Sequence, residues 1–297
     1  MLRKLKRTLY GWVISDEDTY RYCYSKFGGS VNMHPDVINF AGSRKKDKVT
    51  YFHTVKNGQI IGAYPLLNDK EIGINAWKRF PLSYDEVMLP LSPACKVALP
   101  DHSNRISPQQ RDNFFNVNFT VARKNKICIV RDKFSAKNEK NRRNEYNRFL
   151  RAGGKCVDQA CFTDEEIASF YITLFKARFR ETVRCYDARD MTDIIHHLRH
   201  MIFGHVLFMN DEPCAIDLIF YAESDHFIYF DVPNGGVDTR FSSLSPGSVL
   251  MWKNIHAARE FCEKKNKAMR LSIGAMDERW NYKLRWADAV ATGKPFI

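Results

Sequence analysis

Three short stretches of this 297-residue chain carry residues whose types and spacing can do chemistry. At Ser245-Pro246-Gly247-Ser248 a serine and a proline precede a run of apolar residues at helical spacing, which predicts a helix start with Ser245 as its cap. A helix start offers free N–H groups and about half a unit of positive charge, so it suits a phosphate or pyrophosphate, and Gly247 lets a ligand approach the backbone. The same four residues also make a good helix N-terminus with no ligand at all. Tyr229 and Asp231 close a β-rich run, and Tyr282 lies in a late helical stretch, WNYKLRW. Asp231 is the candidate base and Tyr282 the candidate acid for moving protons. Because Asp231 precedes Val-Pro-Asn-Gly-Gly, fixing a turn is its alternative role.

Other chemistries find less support. His196 and His200 stand four apart on a predicted helix, but no glutamate lies between them and no third ligand has suitable spacing, so no metal site is expected. Eight cysteines stand singly with no CxxC pair, which reads as buried thiols in a reducing compartment. Cys156 and Cys161 flank a predicted strand and are not expected to form a redox pair. There is no P-loop, no dinucleotide-binding glycine fingerprint and no GxSxG nucleophile.

The net charge is +12, and residues 123–155 hold most of it, with twelve Lys or Arg against three acids. Within them, SAKNEKNRRNEYNRFLRAGG (135–154) predicts one helix, capped by Ser135 and stopped by Gly153 and Gly154. Tyr146, Phe149 and Leu150 form a narrow apolar seam. Lys137, Lys140, Asn144, Arg148 and Arg151 fall along a polar stripe, with Arg142 and Arg143 beside it. Like charges at this spacing repel. A polyanion-facing helix (RNA, lipid or cofactor phosphate) and a solvated linker helix are the two readings.

These candidates need elements to hold them. Thr163-Asp164-Glu165-Glu166 is a capping box that opens a helix, and a second helix is expected from Thr192. Three β-rich runs follow, FGHVLFM (203–209), CAIDLIFYA (214–222) and HFIYFDV (226–232). Then come the Ser245 helix, the strand MRLSIG (269–274), a helix around WNYKLRW and a tail suited to an edge strand. The N-terminal half repeats this order roughly: a helix over 15–27, strands VTYFHTV, IIGAYPLL and EIGINAW, a helix from about Pro108 to Lys124, and the strand KICIVRD. Between its third strand and that helix runs FPLSYDEVMLPLSPACKVALPDHSNRISP, whose five prolines predict a long irregular loop, either functional or an Ω-like packing element.

Composition bounds the rest. With 44% hydrophobic and 27% charged residues the chain is a soluble globular type, long enough for two domains. Its longest strictly apolar run is five residues (218–222), and MLRKLKRTLYGW has no apolar stretch of signal-peptide length behind it. A cytoplasmic, basic, two-domain protein is expected.

The element order, with a basic helix between halves, resembles the tandem acyltransferase (GNAT-type) architecture of FemAB-like proteins. KNEKNRRNEYNRFLRAGG is similar to the joining helix of that group, LSPGSVLMWKNIHAAREF to its cofactor-side helix, and WNYKLRW to its terminal aromatic-Tyr-Lys element. Ser83-Tyr84-Asp85 approximates its Ser-Asp-Tyr groove element with the last two residues exchanged. A closer resemblance, through GGSVNMHPD (28–36), FDVPNGG (230–236), LSPGS and KNRRNEYNRFLRAGG, is to the Mig-fourteen family, over essentially the full length.

These resemblances imply an α/β fold with mixed sheets. They imply tandem GNAT-like domains over residues 1–134 and 154–297, joined by a helix at 135–153. They also imply acyl or aminoacyl transfer to an amine or hydroxyl of an envelope precursor. Ser245, Gly247, Ser248 and Lys283 would then hold the phosphates of an acyl-CoA or aminoacyl-tRNA donor. Backbone amides of the third strand would face the oxyanion, and Tyr282 would protonate a thiolate or ribose hydroxyl. Tyr84, Asp85, Lys140, Arg142, Arg143 and Arg148 would meet substrate or polyanion. The usual Gln/Arg-x-x-Gly-x-Gly/Ala loop of acetyl-CoA enzymes is missing, which keeps aminoacyl-tRNA open as donor and makes tRNA the one nucleic acid expected. For the Mig-fourteen family the resemblance implies resistance to polymyxin-like cationic peptides and association with the inner face of the inner membrane, with Arg3, Lys4, Lys6 and Arg7 facing anionic lipid. The alternatives are a catalytically inactive membrane-bound scaffold of the same fold and a nucleic-acid-binding regulator.

Overall fold

The computed structural model describes residues 2–120, 124–180 and 182–296, with side chains from Lys4 onward. The side chain of Arg3, and Arg123, lie outside the described residues. The N-terminal half contains helix α1 (Leu2–Leu9), strand β1 (Trp12–Ser15), helices α2 (Glu17–Phe27) and α3 (Pro35–Lys45), and strands β2 (Val49–Lys56), β3 (Gln59–Leu67) and β4 (Glu71–Ile72). Strands β1 to β4 form an antiparallel sheet in sequence order. A long irregular segment leads to β5 (Val117–Asn118) and β6 (Lys126–Val130).

The expected helix over 108–124 does not form; its residues give a short 3-10 turn, Pro108–Asn113, and β5. The reason is local. Asn113, Asn116 and Asn118 bond backbone groups with their side chains, to Cys95 O (2.7 Å), to Leu99 N and O (2.8 Å each) and to Thr120 N (2.9 Å). Such bonds compete with a helix ladder.

The joining helix α4 (Ala136–Arg151) starts and stops where its sequence says. Ser135 accepts from Asn138 N at 3.3 Å, and Gly153 turns left-handed at φ +91°. After it come β7 (Lys155–Asp158), α5 (Asp164–Phe179), α6 (Ala188–His197), β8 (Ile202–Phe203), β9 (His205–Met209), β10 (Glu212–Glu223), β11 (Phe227–Val237), α7 (Pro246–Lys264), β12 (Ala268–Ala275), β13 (Ala287–Ala291) and β14 (Lys294–Pro295). The capping box of Thr163 and Glu166 opens α5. Asp187, ahead of Thr192, caps α6. The stretch around WNYKLRW is a 3-10 segment, Glu278–Arg285, kinked at Trp280, rather than an α-helix.

These strands make an eight-stranded mixed sheet in the order β13-β6-β12-β11-β10-β9-β7, with β8 against β10. Strand β6 precedes the joining helix in sequence yet pairs with both β12 and β13. Helices α4 and α7 pack together on one side, and α5 lies against β10 and β11. One apolar core is continuous from Tyr20, Val37 and Tyr64 through Ile194, Phe175 and Leu218, so the two halves share an interior. No described helix is long and apolar enough to cross a membrane.

Candidate active site

The site begins where two strands part. β11 and β12 are parallel, joined by α7, and their pairing runs from Phe227 opposite Ala268 to Asp231 opposite Ser272. Beyond that pair β11 follows β10 alone and β12 follows β6. The sequence Val-Pro-Asn-Gly explains the break: Pro233 has no N–H to give a ladder, and the β10–β11 register shifts between Leu218 and Phe220, leaving β11 bulged. On the other side Gly274 turns left-handed at φ +79°, which steers β12 away. A helix that crosses back between parallel strands brings its N-terminus to their carboxyl ends, where open α/β sheets bind ligands.

The opening holds two adjoining cavities of about 90 and 250 Å³ that share Arg178, Asp217, Met251 and Tyr282. The smaller one lies between residues 232–235 of β11 and Ile273 and Gly274 of β12, with Asp85, Trp280 and Lys283 around it. The larger one reaches Gly247 and Ser248 on α7.

Asp217, which the sequence reading did not single out, lines both cavities. It sits opposite Gly235 in the β10–β11 ladder, and a Cβ on Gly235 would fall 2.5 Å from its Oδ1, so the glycine makes room for the carboxylate. Burial pushes its pKa up to about 6, against the pull of the nearby Arg178 guanidinium and the Asn254 side-chain amide, which donates to Oδ2 at 3.2 Å. The signal was in the sequence: Asp217 is the one charged residue in CAIDLIFYA. Arg178 donates to Gly235 O (2.9 Å) and to the Tyr282 hydroxyl (3.2 Å), tying α5 to the 3-10 segment.

The expected residues separate into groups. Asp85 and Lys283 meet at the cleft floor. Asp85 accepts from Ala275 N at 2.9 Å, Lys283 donates to Ala275 O at 2.8 Å, and a Cβ on Gly274 would crowd both. Burial lowers the Lys283 pKa, while Asp85 and Asp231 act to raise it. Asp231 lies behind this floor, fully enclosed. Burial, then the charges of Asp85 and Glu86, raise its pKa well above the carboxylate range, and the side chain does not line either cavity.

Tyr229 points into a buried network away from the cleft. Its hydroxyl donates to Glu86, which also accepts from Ser107 (2.6 Å) and from Arg270. Tyr84 is buried too and donates to Ile72 O at 2.5 Å. The proline-rich loop is therefore a packed element, pinned by Asn32 to Ser83 O and Glu86 O, that delivers Asp85 to the cleft.

At the start of α7, Pro246 takes the first position but Ser245 does not cap with its side chain; its backbone is left-handed at φ +52°. Pro246 has no N–H, and those of Ser248 and Val249 already go to Ser245 O at 3.0 Å each, which leaves that of Gly247. The positive charge comes instead from the joining helix. Arg142 donates to Ser248 Oγ at 2.7 Å, pairs with Glu145 and lies 5.4 Å over the Trp286 ring. Arg148 is tied to Ser243 O (3.1 Å). Lys140 and Arg143 face solvent, with no acidic partner among the described residues. His196 bonds Asp164 and His200 bonds Asp36, so the two point to different partners. Among the described residues no cluster of three His, Cys, Asp or Glu is placed to hold a metal ion. All eight cysteines are free.

Comparison with solved structures shows the same fold in FemX, at 9% identity with a TM-score of 0.62, over 96% of this chain and 97% of FemX. It recurs in the C-terminal DUF2156 domain of a protein assigned as a lysylphosphatidylglycerol synthetase in Agrobacterium fabrum (10% identity, TM-score 0.51, 94% of this chain and 92% of that one). At such identities the likeness is one of fold, and the fold is the mixed α/β, FemAB-like one. Comparison with curated protein sequences finds no match. A family model described as Mig-14 matches residues 34–295, and the chain belongs to that family.

Proposed function

We propose that the chain is a transferase that moves an acyl or aminoacyl group from a phosphate-bearing donor, an acyl-CoA or an aminoacyl-tRNA, to an amine or hydroxyl of an envelope precursor. The observation that carries this reading is the parting of β11 and β12 beyond Asp231 and Ser272, with Asp217, Tyr282 and Arg178 gathered at the opening. The unpaired edge of β11 offers backbone groups to an extended donor and N–H groups to an oxyanion. Arg142, Ser248 and the Gly247 N–H would hold a donor phosphate at the far end.

In the step itself the acceptor nitrogen or oxygen attacks the acyl carbon and gives its proton to the Asp217 carboxylate. A carbon–nitrogen or carbon–oxygen bond forms. The bond from the acyl carbon to the carrier's sulfur or ribose oxygen breaks, and the Tyr282 hydroxyl supplies the proton that the leaving atom takes. Arg178, which already donates to Tyr282, steadies the oxygen left behind.

Adding an amino acid to an envelope component lowers its negative charge and so its attraction for cationic peptides. That links the chemistry to the peptide resistance expected of the family. Work at the inner face of the inner membrane is supported by α1, where Lys4 lies beside the exposed Leu5 and Leu9. Arg7 does not join them, because its guanidinium is buried on Asp101 (2.8 Å). The test is a transfer assay with the purified chain, isotope-labelled aminoacyl-tRNA or acyl-CoA pools and an envelope extract. Label should move with the wild type and fall at least a hundredfold with Asp217→Asn. Silence from every donor would refute the reading.

A further inference from the structure

A third cavity, of about 620 Å³, adjoins the small catalytic one through Trp77 and Asn234, which line both. It lies at the seam of the two halves. Trp77, Lys78 and Arg79 come from the irregular segment after β4, and Phe175, Arg184 and Tyr186 come from α5 and the turn that leads into α6.

Its walls are of two kinds. Trp77 and Tyr186 meet edge to face at 5.9 Å above the buried Phe175, which gives an apolar side. The other side carries charge. Both of its carboxylates are engaged: Asp187 accepts from the N–H groups of Arg189 and Asp190 at the start of α6, and Asp190 is held by Arg79 at 2.9 Å. Lys78 and Arg184 are exposed and have no acidic partner among the described residues. Lys78, Arg79 and Arg184 face two carboxylates, Asp187 and Asp190, so the described lining keeps a surplus of one positive charge opposite an aromatic wall. That calls for an anion carrying an apolar or ring-shaped group.

We infer that this cavity is the acceptor site, and that the acceptor carries a phosphate held by Lys78 and Arg184 with its adjoining apolar or ring group against Trp77 and Tyr186. The inference rests on the transferase reading and names its second substrate by chemistry. The geometry suits it, because a molecule seated there reaches Asp217 from the side of Trp77 and Asn234 while the donor enters from Gly247 and Ser248. The same geometry gives the N-terminal half a role in choosing the acceptor, since it supplies Trp77 and Lys78.

A phosphate of this kind can belong to a lipid headgroup or to a soluble nucleotide-linked sugar, and the test has an arm for each. Dihexanoyl phosphatidylglycerol, below its micelle concentration, and UDP-N-acetylglucosamine are titrated into the full chain by calorimetry, with dihexanoyl phosphatidylcholine as the zwitterionic control. At least one phosphate probe should bind the wild type. Lys78→Gln combined with Arg184→Gln should weaken it at least tenfold, and Trp77→Ala should weaken it with the charges intact. Arg142→Ala should leave it unchanged. Absence of binding by both probes, equal binding of the control, or a double variant that binds like wild type overturns the assignment. Donor binding is measured on the same preparation. If donor binds and the probes do not, the acceptor site alone falls. If the probes bind and the double variant loses them while no donor transfers, the transferase reading falls and the anion site stands.

Discussion

Replacing Asp217 by Asn tests the candidate base through stability, without knowledge of either substrate. Burial raises the Asp217 pKa from 3.8 to about 6. A group that binds its proton more tightly in the folded state contributes stability below pH ~4 and loses it as pH rises through about 6. A shift of about 2 units, at 1.36 kcal/mol per unit, makes the ionised carboxylate cost roughly 3 kcal/mol at neutral pH. Asn has nearly the same shape, carries no charge and can still accept from the Asn254 amide. Asp217→Asn should therefore be more stable than wild type by about 2–3 kcal/mol at pH 8, with the difference closing below pH ~4. Urea unfolding followed by circular dichroism between pH 4 and 8 measures it. A variant less stable than wild type at pH 8, or a difference that ignores pH, would show that Asp217 does not carry a buried charge.

Other variants probe the surrounding framework. Glu86→Gln leaves the Arg270 guanidinium buried without its counter-charge and should cost about 3–5 kcal/mol in urea unfolding; a loss under about 1 kcal/mol would mean that the Glu86, Tyr229 and Arg270 network is not formed. Arg142→Ala removes the guanidinium that donates to Ser248 at the start of α7, so donor affinity by calorimetry should drop about tenfold while stability moves by less than about 1 kcal/mol. Thr163→Ala breaks the α5 capping box and should lower stability by about 1 kcal/mol in the same unfolding assay.

Much of the fold is written locally. Ser135, Gly153, Thr163 and Glu166 mark helix ends with their own side chains or backbone, so α4 and α5 are legible from a few residues. The strand runs of the second half show equally well, because apolar and β-branched residues dominate CAIDLIFYA and HFIYFDV. The helix expected over 108–124 was misleading, since the backbone bonds of Asn113, Asn116 and Asn118 depend on where Cys95 and Leu99 lie in space.

The site is harder to read for the same reason. Arg178, Asp217 and Tyr282 come together from α5, β10 and the terminal 3-10 segment, and no spacing rule links them. Asp231 and Tyr229 stand at the right end of the right strand, yet their side chains serve the floor and a buried network. Direction along a strand follows from sequence, while what lies opposite depends on the loop that brings in Asp85 and Glu86. The Ser245 motif marks the start of α7, but Pro246 has no N–H and the serine's carbonyl takes the Ser248 amide as well as that of Val249, so fewer amides are left than a helix start usually offers.

Amide hydrogen exchange of the full chain, with and without a pool of aminoacyl-tRNA and acyl-CoA, tests the seat of the donor most directly. Binding should slow exchange at least fivefold in residues 232–237 of β11 and 247–251 of α7, leaving the paired residues 227–231 unchanged. Protection confined to other segments, or none there when donor binds, would contradict the assignment of the parted strands as its place.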